Sequence, residues 1–179
     1  MDDVMADADP LVAFYLGTGV NGSGRTLEQV LRGSFRQLEI QHDYIQWLFP
    51  LATRSSFNPD APLVTPRVGK RFCENPILRS RVIKALGVML HFYGLTLDDS
   101  DPEDITIYQA THFRDRAAAW LSPDNHNYRR LTRILISLRL LGLRSYSTAL
   151  LAALEKIYRE HGGRIGSSIK HWRATALNA

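Results

Sequence analysis

Three arginines and one histidine stand close together in the C-terminal half of the chain, at Arg129, Arg130, Arg133 and His126. On a helix, Arg130 and Arg133 share a face with His126, and Arg129 lies one turn before Arg133. Guanidinium forks suit a carboxylate, a phosphate or the carboxyl end of a peptide. The alternative is an internal ion-pair network, for instance with the acidic residues of 98–104. The spacing leaves both interpretations open.

A second polar pair, His42-Asp43, precedes the densest aromatic stretch of the chain. The pair has the residue types of an oriented acid–base couple, but adjacent residues on a helix do not face one another. We therefore expect His42 or Asp43 to cap the first turn of the following helix. Trp47 has the chemistry to line a ligand groove, and we expect it instead to be a core residue.

No pattern typical of a metal site or of a known catalytic centre is convincing. The remaining histidines are scattered, at His91, His112, His161 and His171, and Cys73, the only cysteine, is expected to be a buried small hydrophobic residue. The acidic run 98–104 lacks the glycine at the sixth position and the closing glutamate of a calcium loop. We expect no catalytic residue, metal or cofactor, and hence a protein that is not an enzyme.

The glycine-rich segment 17–24 contains the spacing G-x-G-x-x-G before a predicted helix. A dinucleotide-binding loop needs a strand in front of that motif and a βαβ unit around it. Here Asp9-Pro10 predicts a helix in front instead. We interpret the segment as a flexible linker.

Helix start and stop signals recur along the chain. A capping residue precedes proline at Asp9-Pro10, Thr65-Pro66, Asn75-Pro76, Asp101-Pro102 and Ser122-Pro123, and Thr26 with Gln29 forms a capping box. Glycines follow apolar-periodic stretches at Gly17, Gly94, Gly142 and Gly162. No alternating run indicates a sheet. The sequence therefore predicts an all-α fold, a single compact, irregular, non-repeating bundle of about seven helices.

The predicted helices have the following approximate bounds: 10–16, two short helices from Thr26 to the aromatic stretch, 65–74, 75–93, 103–120, 125–141 and 147–161. Residues 52–64, with two prolines, predict a long surface loop. After Gly162-Gly163 the tail is expected to be either frayed or a docked short helix. The domains we infer are an acidic flexible N-terminus (1–9), a helical domain (10–162) and a basic C-terminal tail (163–179).

The stretch His42-Asp43-Tyr44-Ile45-Gln46-Trp47-Leu48-Phe49-Pro50-Leu51 resembles a signature of the conserved domain of opioid growth factor receptors. Three other stretches resemble the same family, in the same order: Phe14-Tyr15, the stretch around Phe92-Tyr93-Gly94, and the one from Asn125 through Leu143. The resemblance therefore covers roughly residues 11–160. We expect its characteristic residues to be mainly core: His42, Tyr44, Gln46, Trp47, Phe49, Pro50, Phe92, Tyr93 and Gly94.

The resemblance implies a binding module. The family is described as binding an enkephalin pentapeptide and as a signalling receptor at the nuclear periphery. On that basis we expect a non-enzymatic peptide- or protein-binding domain that uses the 52–64 loop and the arginine face. The ligand's identity, the source organism and the oligomeric state do not follow from the sequence.

The composition excludes several other classes of protein. Apolar content of 45% and charged content of 22% are those of a globular protein, neither disordered nor coiled-coil. The acidic start is unlike a signal peptide, arginines interrupt every apolar run, and a single cysteine fits a reducing compartment. We expect a soluble intracellular protein without a transmembrane segment, cytoplasmic, or nuclear or perinuclear if eukaryotic.

The charge is unevenly distributed. Residues 1–104 carry 10 basic and 14 acidic side chains, whereas residues 105–179 carry 12 and 4. A basic half favours an anionic partner. Our second hypothesis is therefore a nucleic-acid-binding helical domain that uses this half, with Lys170, Trp172 and Arg173 contributing. It predicts a steep loss of affinity with salt.

Overall fold

A computed structural model describes residues 9–56 and 58–177. The predicted N-terminal segment 1–9 lies outside the described residues except for Asp9. The described residues divide into two compact units, one formed by those up to residue 85 together with 140–142, and the other by residues 86–139 with 143–177.

The first unit contains α1 (Pro10–Leu16), α2 (Leu27–Leu31), α3 (Phe35–Ile40), α4 (Ile45–Leu48), α5 (Pro66–Glu74) and, up to Ala85, the start of α6 (Pro76–Tyr93). Local capping chemistry explains most of these bounds. Asp9 accepts from the amide of Leu11, and Thr26 with Gln29 forms the predicted capping box. Thr65 and Asn75 cap α5 and α6 in the same way. These four predicted helix starts are confirmed.

The second unit contains the rest of α6, a hairpin of β1 (Leu95–Asp98) and β2 (Thr106–Gln109), and then α7 (Phe113–Trp120), α8 (Asn127–Leu140) except for its last residue, α9 (Arg144–Ile165) and α10 (Ser168–Leu177). The two strands are antiparallel, with Leu95 opposite Gln109. The helix α9 contains a kink at His161, where φ is −134° and ψ is 23°.

The predicted all-α class is confirmed in its main feature. The described residues form ten helices and a single two-stranded sheet. The prediction of a helix over 103–120 is wrong for its first half, because β2 occupies 106–109 and the acidic run after Asp98 lies in the hairpin connection. Asp101-Pro102 therefore forms a turn rather than a helix start, and Tyr108, on β2, is 48% exposed.

Aromatic side chains fill the core of each unit. In the first unit Phe14 packs edge-on against both Tyr15 and Trp47, with ring centroids 5.7 and 5.4 Å apart. In the second unit Tyr93, Trp120 and Tyr128 form a consecutive series of edge-to-face contacts. Trp172 continues that series from α10, with its ring centroid 5.8 Å from that of Tyr128.

Gly94 shows why a glycine ends α6. Its φ is +77°, and a Cβ at this position would lie 2.8 Å from the Cα of Phe113. The chain must therefore turn in a left-handed conformation while α7 approaches the backbone closely. The expected C-cap at Gly94 is confirmed.

Candidate functional site

A polar cleft of about 600 Å³ lies where α8 and α10 begin, and we call it the second-unit cleft. It is lined by Asp124, Asn125, His126, Tyr128, Arg129, Thr132, Ser167, Ser168 and His171. His126, Arg129 and His171 are exposed, and Asp124 is the one acidic residue among those that line it. The cleft thus offers hydrogen-bond donors from a guanidinium and two imidazoles, next to the amino ends of two helices.

Two of these donors, His126 and Arg129, lie at the start of α8. The side-chain oxygen of Asn125 accepts from the amide of Asn127 at 3.0 Å, and its Nδ2 donates to Ser122 Oγ at 3.0 Å. Asn125, rather than the predicted Ser122, therefore organises the helix start. His126 precedes the helix and Arg129 lies in its first turn, so both project from the same end of α8.

Tyr128 holds the walls of the cleft together. Its hydroxyl donates to the carbonyl oxygen of Arg164 in α9 at 3.1 Å. The indole nitrogen of Trp172, in α10, donates to the backbone oxygen of Tyr128 at 3.3 Å. These two bonds and the ring contact fix α10 against α8, so that Ser168 and His171 face the cleft that Arg129 lines.

The structure separates the four residues of the predicted arginine cluster. His126 and Arg129 line the second-unit cleft. Arg130 is only 5% exposed, and its Nη1 donates to Asn127 Oδ1 at 3.3 Å, the same oxygen that accepts from the Tyr93 hydroxyl. Arg133 is half-buried, and burial lowers the pKa of its guanidinium. The side chain of Arg130 thus belongs to the interior.

Ser167, Ser168 and His171 are the lining residues that sequence reasoning missed. The sequence predicts a tail that is either frayed or docked, and this leaves the position of these residues open. The buried Ile165, Ile169 and Trp172 recur at helical spacing, and that periodicity was the available signal. In the structure the tail is docked, and Trp172 is fully buried.

The residues of the aromatic signature are mainly core, as expected. Tyr44, Phe49, Phe92 and Tyr93 are fully buried, Gln46 and Trp47 are 6% and 7% exposed, and Pro50 and Gly94 are buried as well. His42 is the exception and is exposed. The Tyr44 hydroxyl donates to the carbonyl oxygen of Leu38 at 2.8 Å, so the signature stretch is tied to α3.

The predicted capping role of His42 or Asp43 is wrong. The residue before α4 is Tyr44, and no side chain caps this helix. Asp43 instead accepts two bonds from the Arg25 guanidinium, at 2.9 and 3.0 Å. Burial raises the pKa of Asp43, but hydrogen bonds from Ser23 and Arg25 outweigh that effect and hold it below its usual range.

A second cleft, of about 520 Å³, lies beside this ion pair, and we call it the first-unit cleft. It is lined by Gly22, Ser23, His42, Asp43, Trp47, Asn58 and Asp60. Two of these residues, Asn58 and Asp60, come from the 52–64 loop that was predicted to make contacts with a partner. The base of this loop is closed by a bridge between Leu51 and Leu63.

The glycine-rich segment forms a defined turn rather than the predicted flexible linker. The buried Asn21 accepts through Oδ1 from the amides of Ser23 and Arg25, at 3.2 and 2.9 Å. The segment follows a helix, α1, and precedes a helix of only five residues. The arrangement lacks the strand that a dinucleotide loop requires.

Within residues 9–56 and 58–177, no three histidine, cysteine, aspartate or glutamate side chains are grouped so that they could hold a metal ion. His91 and His112 pair edge-to-face, with ring centroids 4.6 Å apart. Cys73 is exposed, contrary to the prediction of a buried residue. None of the helices in the described part of the chain combines the length and apolar composition that a membrane crossing requires.

Comparison with known families and proteins gives a consistent result. The family described as "Opioid growth factor receptor (OGFr) conserved region" matches residues 14–175. The opioid growth factor receptor of Mus musculus is 35% identical over 131 residues, which are 72% of this chain and 20% of that protein. The Homo sapiens receptor is 34% identical over 131 residues, 72% of this chain and 19% of that protein.

A second group of relatives is named differently. The opioid growth factor receptor-like protein 1 of Rattus norvegicus is 35% identical over 130 residues, which are 71% of this chain and 27% of that protein. The chain therefore spans only about a fifth to a quarter of the length of the curated relatives it matches. No solved structure matches the chain.

Proposed function

Since the chain belongs to the opioid growth factor receptor family, we propose that it is a non-enzymatic binding module for a peptide or protein partner. The relatives are named as receptors or receptor-like proteins, which favours a partner of this class. The second-unit cleft is where a carboxylate of that partner binds. The observation that carries this proposal is the convergence of His126, Arg129 and His171 on one open cleft.

A carboxylate fits the donors of this cleft. Arg129 offers a planar fork that pairs with two carboxylate oxygens, and the neighbouring imidazoles offer single ring N–H donors. The first turns of α8 and α10 add the partial positive charge of helix amino ends. Ser167 and Ser168 leave room because their side chains are short. The carboxyl end of a peptide, or an acidic side chain, has the matching shape and charge.

A nucleic-acid partner is less well supported. Trp172, which was expected to contribute, is fully buried and cannot stack on a base. Arg173 donates to Glu155 at 2.8 Å and lies over the Tyr158 ring, with its guanidinium carbon 5.9 Å from the centroid. Trp172 and Arg173 therefore do not form the interleaved basic and aromatic surface that single-stranded nucleic acid requires.

The test is binding of fluorescently labelled probes to the full chain at two salt concentrations. The probes are a random peptide pool that is acetylated at its amino end and free at its carboxyl end, the same pool amidated at its carboxyl end, single-stranded DNA and duplex DNA. We expect the free carboxyl ends to bind and amidation to weaken that binding about tenfold or more, because a charge-assisted pair is lost.

Arg129→Gln removes the guanidinium of the cleft, and Arg114→Gln removes an exposed guanidinium of α7 that does not line it. Arg129→Gln should weaken capture of the carboxylate pool about tenfold or more, and Arg114→Gln should leave it unchanged. Equal binding of the amidated pool, or salt-sensitive DNA binding with no peptide binding, contradicts the proposal.

A further inference from the structure

We propose that the first-unit cleft binds the amino end of a peptide, with its α-ammonium group against Asp60 and its first carbonyl oxygen accepting from Trp47 Nε1. This inference rests on the proposed peptide-binding function and assigns a second recognition site to it. The two clefts have no lining residue in common and present opposite chemistry, so the two sites are tested separately.

The indole of Trp47 is the first line of support. The indole nitrogen of Trp120 donates to Tyr93 O at 3.1 Å, and that of Trp172 to Tyr128 O at 3.3 Å. Trp47 as a whole residue is 7% exposed, its Nε1 donates to no described residue, and this nitrogen is not one of the fully buried polar atoms that lack a partner. The nitrogen therefore reaches the cleft instead of being enclosed by protein. The Trp47 donor is therefore available to a ligand.

This donor points to the cleft. Trp47 lines it, and Nε1 lies 3.7 Å from the place that a Cβ would take at Gly22, which also lines it. Because Gly22 has no side chain, the space in front of the indole nitrogen stays open. A carbonyl oxygen of hydrogen-bonding size fits there.

Acceptors lie in the same cleft. The exposed Asp60 makes no hydrogen bond or ion pair with any described residue, and the side-chain amide of Asn58 is likewise without a described partner. Asp43 adds a second carboxylate, which Arg25 fixes in place. A free carboxylate near a fixed one attracts an ammonium donor.

The scaffold around these groups is held by local bonds. Asn21 Oδ1 accepts from Ser23 Oγ at 3.0 Å, in addition to the two amides already described. The amide of Val64 donates to Leu51 O at 2.9 Å and closes the loop that carries Asp60. The turn that carries Gly22 and Ser23 and the base of the loop that carries Asp60 are thus held before a ligand binds, which lowers the ordering cost of binding.

The combination of groups selects the ligand. An indole N–H requires an acceptor, and a free carboxylate requires a cationic donor. The amino end of a peptide carries both within one residue, as an ammonium group and the first carbonyl oxygen. A lysine side chain carries only the ammonium group. A metal cation satisfies the carboxylates but leaves the indole N–H without an acceptor.

The test follows the three indole N–H signals of the full ¹⁵N-labelled chain by NMR, with the Trp47 signal assigned through Trp47→Phe. The probes are tri-alanine amide with a free amino end, the same peptide acetylated at its amino end, n-butylamine as a lysine side-chain analogue, and acetyl-tri-alanine with a free carboxyl end. The free amino end should shift the Trp47 signal, and acetylation should weaken that effect about tenfold or more.

Two variants with matched controls locate the site. Asp60→Asn should weaken binding of tri-alanine amide about tenfold, whereas Asp104→Asn, an exposed carboxylate outside the cleft, should not. Gly22→Ala should weaken it by filling the space before Nε1, without a clash at 3.7 Å. Gly163→Ala, where a Cβ meets nothing within 4 Å, is its control.

The outcomes are distinguishable. Equal binding of the acetylated peptide, or an equal shift of Trp47 by n-butylamine, overturns the assignment of an amino end. If none of the probes shifts the Trp47 signal while acetyl-tri-alanine binds the second-unit cleft, this inference is overturned and the proposed function is not. A chain that binds none of the peptides overturns both.

Discussion

Replacing Gly94 by alanine tests the packing that the fold requires where α6 ends. An L residue at φ +77° costs about 1–2 kcal/mol. The added Cβ would also lie 2.8 Å from the Cα of Phe113, a backbone atom that no change of rotamer can move, which adds about 1–3 kcal/mol. Alanine also reduces the conformational freedom of the unfolded chain, which stabilises the folded protein by about 0.4–1 kcal/mol. We expect Gly94→Ala to lower the free energy of unfolding by about 1–5 kcal/mol.

Gly87, in the interior of the same helix, provides the matched control. A Cβ there meets nothing within 4 Å, and its φ is not positive. Gly87→Ala should therefore raise the free energy of unfolding by about 0.5–1 kcal/mol. Urea unfolding followed by far-ultraviolet circular dichroism measures both variants. A Gly94→Ala protein within about 0.5 kcal/mol of the parent, or a Gly87→Ala protein destabilised as much as Gly94→Ala, refutes the reasoning.

Two further predictions concern buried polar groups. Arg129→Gln should change the free energy of unfolding by less than about 0.5 kcal/mol. Arg130→Met should lower it by about 1–3 kcal/mol, because Asn127 loses a buried donor. Urea unfolding measures both variants, and similar effects at the two positions contradict the structure. Burial raises the pKa of Tyr15, whose hydroxyl donates to Leu48 O, so its folded form keeps the proton at a pH where the unfolded chain loses it. Its stabilising contribution is complete below the unfolded pKa of about 10 and falls by about 1.4 kcal/mol per pH unit above it. Tyr15→Phe should thus lose less stability than the parent between pH 9 and 11, and parallel losses would disprove this account.

Helix ends were predictable because their signals are local. The caps at Asp9, Thr26, Thr65 and Asn75 act on amides two or three residues away, so the sequence contains the whole interaction. The hairpin was not predictable in the same way. Its strands have four residues each, too few for an alternating pattern to stand out, and its acidic connection resembles the first turn of a helix.

The candidate site was predictable only in part, because tertiary contacts complete it. His126 and Arg129 are neighbours in sequence, so their clustering was visible. The interior position of Arg130 depends on Asn127 together with Tyr93, which lies 34 residues before Asn127 in the chain. His171 joins the cleft because Trp172 docks α10 on Tyr128, 44 residues away. Such contacts leave no local pattern.

The most direct test of peptide binding at the second-unit cleft is a map of backbone amide shifts in the ¹⁵N-labelled full chain. The ligand is the random peptide pool with acetylated amino ends and free carboxyl ends. The largest shifts should fall on residues 124–132 and 167–171, and the amidated pool should not produce them. Shifts that spread evenly over the basic half, that appear elsewhere, or that persist with the amidated pool would contradict the claim that this cleft binds a carboxylate.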